Sequence, residues 1–207
     1  MKGLLLKDFY MAKKYCRMIL LVTVVFAGVS IAEPSNLFFQ FYPVVMASIL
    51  PVTILGYDEK CHWDVYGQIF PYSKKQFVSV KYLMALIFVC GMWLLLMAVQ
   101  IIGMLVNGAG FQSNLLFFLL LVLSCGFLSS SILLPVIFKF GTEKGRLAFM
   151  VVICLICGGS AAAVSVDPDL HMPISADMLS LLILVGCIVL FLLSWQASIK
   201  IYEKREL

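Results

Sequence analysis

Charge is scarce in this 207-residue chain. Asp, Glu, Lys and Arg make up 13% of it, while 63% is hydrophobic and the mean hydropathy is +1.06. A soluble domain usually carries about a quarter charged residues, so a water-soluble globule of this size has nowhere to put so much apolar surface. Disorder is excluded by the same numbers, because it needs low hydrophobicity and high net charge. Ionisable residues are also missing from the body of every long apolar run. Proton- and ion-coupled transporters need titrating groups there, and channels for hydrated ions need charged rings or a recognisable filter. If this chain moves a solute, the work is expected to come from outside the membrane. There are two histidines, His62 and His171, and no H-E-x-x-H. There is no Gly-Lys dipeptide, hence no Walker A loop to cradle phosphates. Most of the seven cysteines fall within apolar runs, where a thiol packs as a small hydrophobe. No disulfide framework is implied. Cys154 and Cys157 form a C-x-x-C inside such a run, which has neither the four ligands of a zinc site nor the polar setting of a redox pair.

What the chain does contain is six apolar runs: 18–32, 37–56, 82–106, 115–138, 147–166 and 178–199. Six spans of about 20 residues use about 120 residues, leaving short loops and a single membrane domain over 1–207. The reading is all-α, a polytopic bundle of six transmembrane helices. Pro43 and Pro51 should kink the second, a fault tolerated where neighbouring helices satisfy the freed backbone groups. All fifteen Lys and Arg fall before the first run, between the second and third, between the fourth and fifth, or after the sixth. The alternate loops hold none. Under the positive-inside rule both termini are cytoplasmic. The net charge of +4 thus reflects topology and gives no sign of a nucleic-acid partner.

Residues 1–32 have the outline of a signal peptide, with a plausible cleavage site at Ser30-Ile31-Ala32, but a 17-residue basic region is long for one. Leu5, Phe9, Ala12 and Cys16 lie within about a 60° arc of a helix. Residues 1–17 therefore read as a modestly amphipathic helix lying on the inner leaflet.

The longest polar stretch, 57–81, is ordered in its chemistry. Asp58 and Glu59 suit the N-terminus of a short helix, where acids complement the dipole. Trp63, Tyr66 and Phe70 then recur at i, i+3 and i+7 as an aromatic stripe, and Asp64 falls off it. Pro71 ends that helix, and Ser73-Lys74-Lys75-Gln76 is a capping-box pattern that starts the third span. Lys74 and Lys75 oppose the dipole of the helix they begin. They serve either the positive-inside rule and lipid phosphates or the docking of a cytoplasmic partner. The stripe likewise suits a membrane surface, a place under the bundle, or a partner. The candidate docking residues are Asp58, Glu59, Trp63, Asp64, Tyr66, Phe70, Lys74 and Lys75.

A weaker catalytic pattern is Gly158-Gly159-Ser160-Ala161-Ala162, a nucleophile elbow without its final glycine. An intramembrane serine hydrolase would pair Ser160 with His171. Small-xxx-small helix packing explains the same residues without chemistry.

M-K-G-L-L-x-K-D-F-Y at Met1–Tyr10, Y-D-E at Tyr57–Glu59, W-D-x-Y at Trp63, Asp64 and Tyr66, and P-x-S-K-K-Q followed by V-K-Y-L at Val80–Leu83 resemble the type-2 ATP-binding-cassette (ABC) transporter permeases. The subgroup they resemble is that of small six-span permeases similar to bacterial exporters of amphipathic, cytolytic peptides. The resemblance implies an elbow helix, a coupling helix between spans two and three, and a separate ATPase subunit docked there. It implies a second permease, homodimeric or related, in a bacterial plasma membrane. ATP and magnesium would belong to the ATPase, leaving this chain without a cofactor or catalytic activity of its own. Larger relatives have re-entrant helices between spans five and six, whereas Asp167–Asp177 is a short loop. The expected function is the membrane subunit of an exporter of a peptide, drug or lipid-like substrate. The other reading is a non-transporting assembly or immunity protein.

Overall fold

A computed structural model of the chain describes residues 2–15, 17–32, 37–61, 63, 73–107, 114–142, 144–145, 147, 150–151 and 176–204. These residues are helical throughout, apart from short turns. The principal helices are α1 (Lys2–Tyr15), α2 (Arg17–Ala32), α3 (Leu37–Lys60), α4 (Lys74–Asn107), α5 (Asn114–Phe140) and α6 (Ala176–Glu203). Three described stretches are long and apolar enough to cross a membrane: Lys74–Ile102, Leu119–Phe140 and Ser180–Glu203. The expected run 147–166 lies largely outside the described residues.

Helix ends differ from the expected span limits where polar chemistry extends the helix. The pattern at Ser73 forms a reciprocal capping box. The Ser73 N–H donates to Gln76 Oε1 at 3.2 Å, and the Gln76 N–H donates to Ser73 Oγ at 3.3 Å. Two of the orphan amides at the start of α4 are thereby satisfied. Helix α4 consequently begins eight residues before Tyr82, and Lys74–Lys81 is helix rather than loop. At the other side of the gap, α3 runs through Pro43 and Pro51 to Lys60. Asp58 and Glu59 therefore sit in the last turn of α3, not at the start of a separate helix. Acids at a helix C-terminus are opposed by the dipole by about 0.3–1 kcal/mol each. Tertiary partners, described below, offset this.

Helices α5 and α6 make the most extensive contact among the described residues, and α4 packs on both, with α3 against α4 and α5. The core between them is built from Val52, Val78, Tyr82, Phe127, Leu134, Phe138 and Phe191, with Trp195 and Phe77 at its border. Aromatic rings interlock α4 with α6: Tyr82 stacks on Trp195 at 5.8 Å and meets Phe191 edge-on at 5.3 Å. At Gly126, α5 comes close to both α3 and α4. A Cβ there would lie 2.6 Å from a Val44 methyl and 2.8 Å from a Val89 methyl. The serines of α5 satisfy themselves: Ser124, Ser129 and Ser130 donate to carbonyls four residues earlier. Lipid-type surface lies outside, on α6 above all, where Leu181, Leu182, Val185, Leu192 and Leu193 are exposed.

Helix α1 packs against α3 and α4. Leu4, Asp8 and Ala12 are buried against Leu50, Ile54, Val80 and Met84, whereas Phe9 is 50% exposed together with Leu6 and Tyr10. The buried stripe turns on Asp8 because a carboxylate with an ionic partner in the bundle outweighs one more apolar contact. Leu5 is partly buried beside it, and the side chain of Cys16 lies outside the described residues.

Candidate functional site

The basic end of the bundle carries a buried group of four charges from three helices. Lys81 of α4 is fully buried, and its ammonium donates to Asp8 Oδ2 of α1 and to Asp58 Oδ2 of α3, each at 2.7 Å. Lys7 donates to the other oxygen of Asp58, also at 2.7 Å, and lies 3.5 Å from Asp8 Oδ1. Two cations and two carboxylates leave the group neutral. That is the condition for burial, since an unpaired charge in a low-dielectric interior is very costly. One oxygen, Asp8 Oδ1, is buried without a hydrogen bond. Removing one partner from such a cluster typically costs about 3–5 kcal/mol, because its opposite is stranded.

The same cluster holds the start of the segment singled out from the sequence. The Lys7 ammonium sits 4.2 Å from the centre of the Trp63 ring, a cation–π contact. Lys7 thus joins α1 to both Asp58 and Trp63.

Glu59 points elsewhere. Its Oε2 accepts from the Thr142 N–H at 3.1 Å and from the Thr142 hydroxyl at 2.6 Å. Thr142 begins a helical turn just after Gly141, which ends α5 with φ +85° and donates to Ile137 O at 2.8 Å. A carboxylate at the start of a helix complements its dipole, so Glu59 ties the end of α3 to the turn that follows α5. Between these two ends lies an open recess of about 460 Å³, bordered by Tyr57, Lys60, Phe140 and Lys144.

Behind Lys81, the next residue reaches the opposite way. The Tyr82 hydroxyl is 2.7 Å from both Ser194 Oγ and Ser198 Oγ of α6. Ser194 donates its proton to the Ser131 carbonyl of α5 at 2.7 Å. A hydroxyl has one proton to give, so the order is forced: Ser198 donates to Tyr82, Tyr82 to Ser194, and Ser194 to Ser131. Each bond in such a chain polarises the next. Nearby, the Trp195 indole N–H donates to Ser79 Oγ at 3.2 Å.

Of the eight candidate docking residues, Asp58 and Glu59 are turned into these contacts, and Trp63 is half-buried beneath Lys7. Lys74 and Lys75 are exposed, and Lys75 lies 3.7 Å from Glu203 of α6. Asp64, Tyr66 and Phe70 lie outside the described residues, as do Ser160 and His171. No group of three or more His, Cys, Asp or Glu able to hold a metal occurs among the described residues. Lys7, Asp8 and Lys81 were not among the residues expected to matter. Two signals mark them. Asp8 is the sole acid in the first 32 residues, and Lys81 falls on the helical stripe of Val78 and Ala85.

No curated protein and no solved structure matches the chain. A family model described as ABC-2 family transporter protein matches residues 3–203, nearly the whole sequence. That match spans α1, the polar segment after α3 and the apolar helices alike: the chain belongs to the ABC-2 family, whose members are membrane components of ABC-type transporters.

Proposed function

We propose that the chain is the permease subunit of an ABC exporter, with six spans, both termini in the cytoplasm, and a separate ATPase docked on the segment that follows α3. In this reading two permeases, alike or related, assemble with two ATPases in a bacterial plasma membrane. The observation that carries it is the attachment of Trp63 to the bundle. The Lys7 ammonium links that ring to Asp58, and Asp58 links it to Lys81. A force applied by an ATPase to an aromatic ridge at 63–70 would reach α1, α3 and α4 through charged contacts instead of being lost in a loop. Lys74 and Lys75 lie at the other border of the same segment. They would meet acidic groups of the ATPase.

The substrate is amphipathic. Between the basic end and the far end, the described stretches of α4, α5 and α6 offer hydroxyls, sulfur and hydrocarbon. A strongly charged solute would be desolvated there at several kcal/mol or more, whereas a peptide, drug or lipid with a large apolar face would not. Secretion of such a molecule and protection against it use one and the same transport cycle.

The experiment is co-purification. Trp63→Ala combined with Tyr66→Ala is expected to reduce recovery of the ATPase at least tenfold while the permease still inserts in the membrane. Undiminished recovery counts against docking at this ridge. Absence of any ATPase from the intact complex favours the assembly or immunity reading instead.

A further inference from the structure

Lys81 and Tyr82 are neighbours on one turn of α4, and together they bond to four other helices. Lys81 takes α1 through Asp8 and α3 through Asp58. Tyr82 takes α6 through Ser194 and Ser198 and, by way of Ser194, α5 through the Ser131 carbonyl. The two sets of bonds are not equally easy to exchange. The Lys81 ammonium is fully buried and Asp8 Oδ1 already lacks a hydrogen bond; the other cation of the cluster, Lys7, lies 3.5 Å from that oxygen and is itself bonded to Asp58. Pulling Lys81 away would leave two carboxylates to the single ammonium of Lys7, with Asp8 losing its one hydrogen bond. The serine hydroxyls have a substitute within reach, because a helical serine can donate to the carbonyl four residues earlier in its own helix. Ser124, Ser129 and Ser130 of α5 do this already.

We propose that this turn of α4 is a junction of two unlike joints: Lys81 is a positioning residue that locks α1 to α4, and the Tyr82 hydroxyl chain is the seam at which α4 shifts against α6 during the transport cycle. The inference rests on the proposed function for the cycle itself, but the lock exists in the permease alone. It assigns separate tasks to two adjacent residues. One keeps the elbow helix and the docking end in register with α4, and the other lets the bundle take two arrangements. Glu59, bound to Thr142, keeps the end of α3 near the turn after α5 and confines the shift to the α4–α6 side.

Spin-label pairs test this in the permease–ATPase complex in lipid nanodiscs, on a cysteine-free background that retains the ATPase. One pair joins α1 to α4 (Lys13→Cys with Ile87→Cys), the other α4 to α6 (Ile87→Cys with Gln196→Cys); all three positions are exposed. Trapping with ATP and vanadate is expected to leave the α1–α4 distance single and unchanged and to shift the α4–α6 distance. Lys81→Met is expected to add a second, longer α1–α4 population even without nucleotide. Should that variant fail to fold, Lys7→Met, Asp8→Asn, Asp58→Asn and Lys81→Met together remove all four charges without stranding any. They should give the same longer population. Tyr82→Phe is expected to populate the trapped α4–α6 distance without nucleotide and leave α1–α4 alone. An α1–α4 distance indifferent to the neutralised variants overturns the lock. An α1–α4 separation that changes on trapping in the unmodified protein, or an α4–α6 distance that does not, overturns the division of tasks. If no ATPase is retained, the proposed function fails, and the nucleotide-free distances still decide whether Lys81 holds α1.

Discussion

Gly126 shows how a single residue sets the spacing of this bundle. A methyl group added there would meet γ-methyls of Val44 and Val89 at 2.6 and 2.8 Å, inside contact distance, and those branched side chains have little room to turn away. Gly126→Val is expected to destabilise the protein by about 1–3 kcal/mol, the usual range for overpacking, read as a drop in the midpoint of thermal unfolding in detergent. An unchanged midpoint would mean that α3 and α5 separate easily. Nothing local in the sequence marks this glycine or says which valines face it. The charged residues carry the same lesson more sharply. Asp58 and Glu59 look like acids placed to begin a helix, yet they end one, because Lys81 and Thr142 supply partners that the dipole argument does not include. Lys81 itself sits next to an apolar run, and proximity to that run concealed that its side chain lies inside the bundle.

At the scale of the helix, local signals were legible. The capping box at Ser73 and Gln76 forms with both reciprocal bonds, because its geometry depends only on four consecutive residues. Ser73→Ala is expected to cost about 0.5–2 kcal/mol. Its signature is faster amide hydrogen exchange over the first turn of α4 with no change beyond Tyr82. Loss of protection throughout α4 would contradict a purely local role. The amphipathic face of α1 was less legible. An arc through Leu5, Phe9 and Ala12 satisfies the apolar pattern, but the buried stripe is Leu4, Asp8 and Ala12. Periodicity ranks faces by hydrophobicity and gives no credit to a carboxylate whose partner is 73 residues away. The outward face of α1 carries Leu6, Phe9 and Tyr10, and it suits the boundary between headgroups and acyl chains.

For the molecule as a whole, the distribution of cations makes the orientation testable. Every Lys and Arg falls before the first apolar run, between the second and third, between the fourth and fifth, or after the sixth, so the basic end is expected to face the cytoplasm. On a cysteine-free background in intact cells, a membrane-impermeant maleimide should label Ser113→Cys and leave Lys204→Cys unlabelled until the cells are permeabilised. The reverse pattern would invert the topology and remove the ATPase from reach of Trp63. The buried charges fit this layout, because they lie at the basic end, where hydration is closest and the cost of burying a neutral group of four is lowest.

Membrane class, helical architecture and the asymmetry of charge were all determined by composition and order along the chain. Those properties depend on transfer from water and on neighbours a few residues apart, which a sequence states directly. Which way α1 turns, which carboxylates share Lys81, and how Tyr82 joins α6 through paired serines were decided only by tertiary structure. These choices depend on the rotation and spacing of helices far apart in the chain. There, one buried ion pair or one missing Cβ outweighs the hydrophobic pattern, which by itself suits several rotations almost equally well.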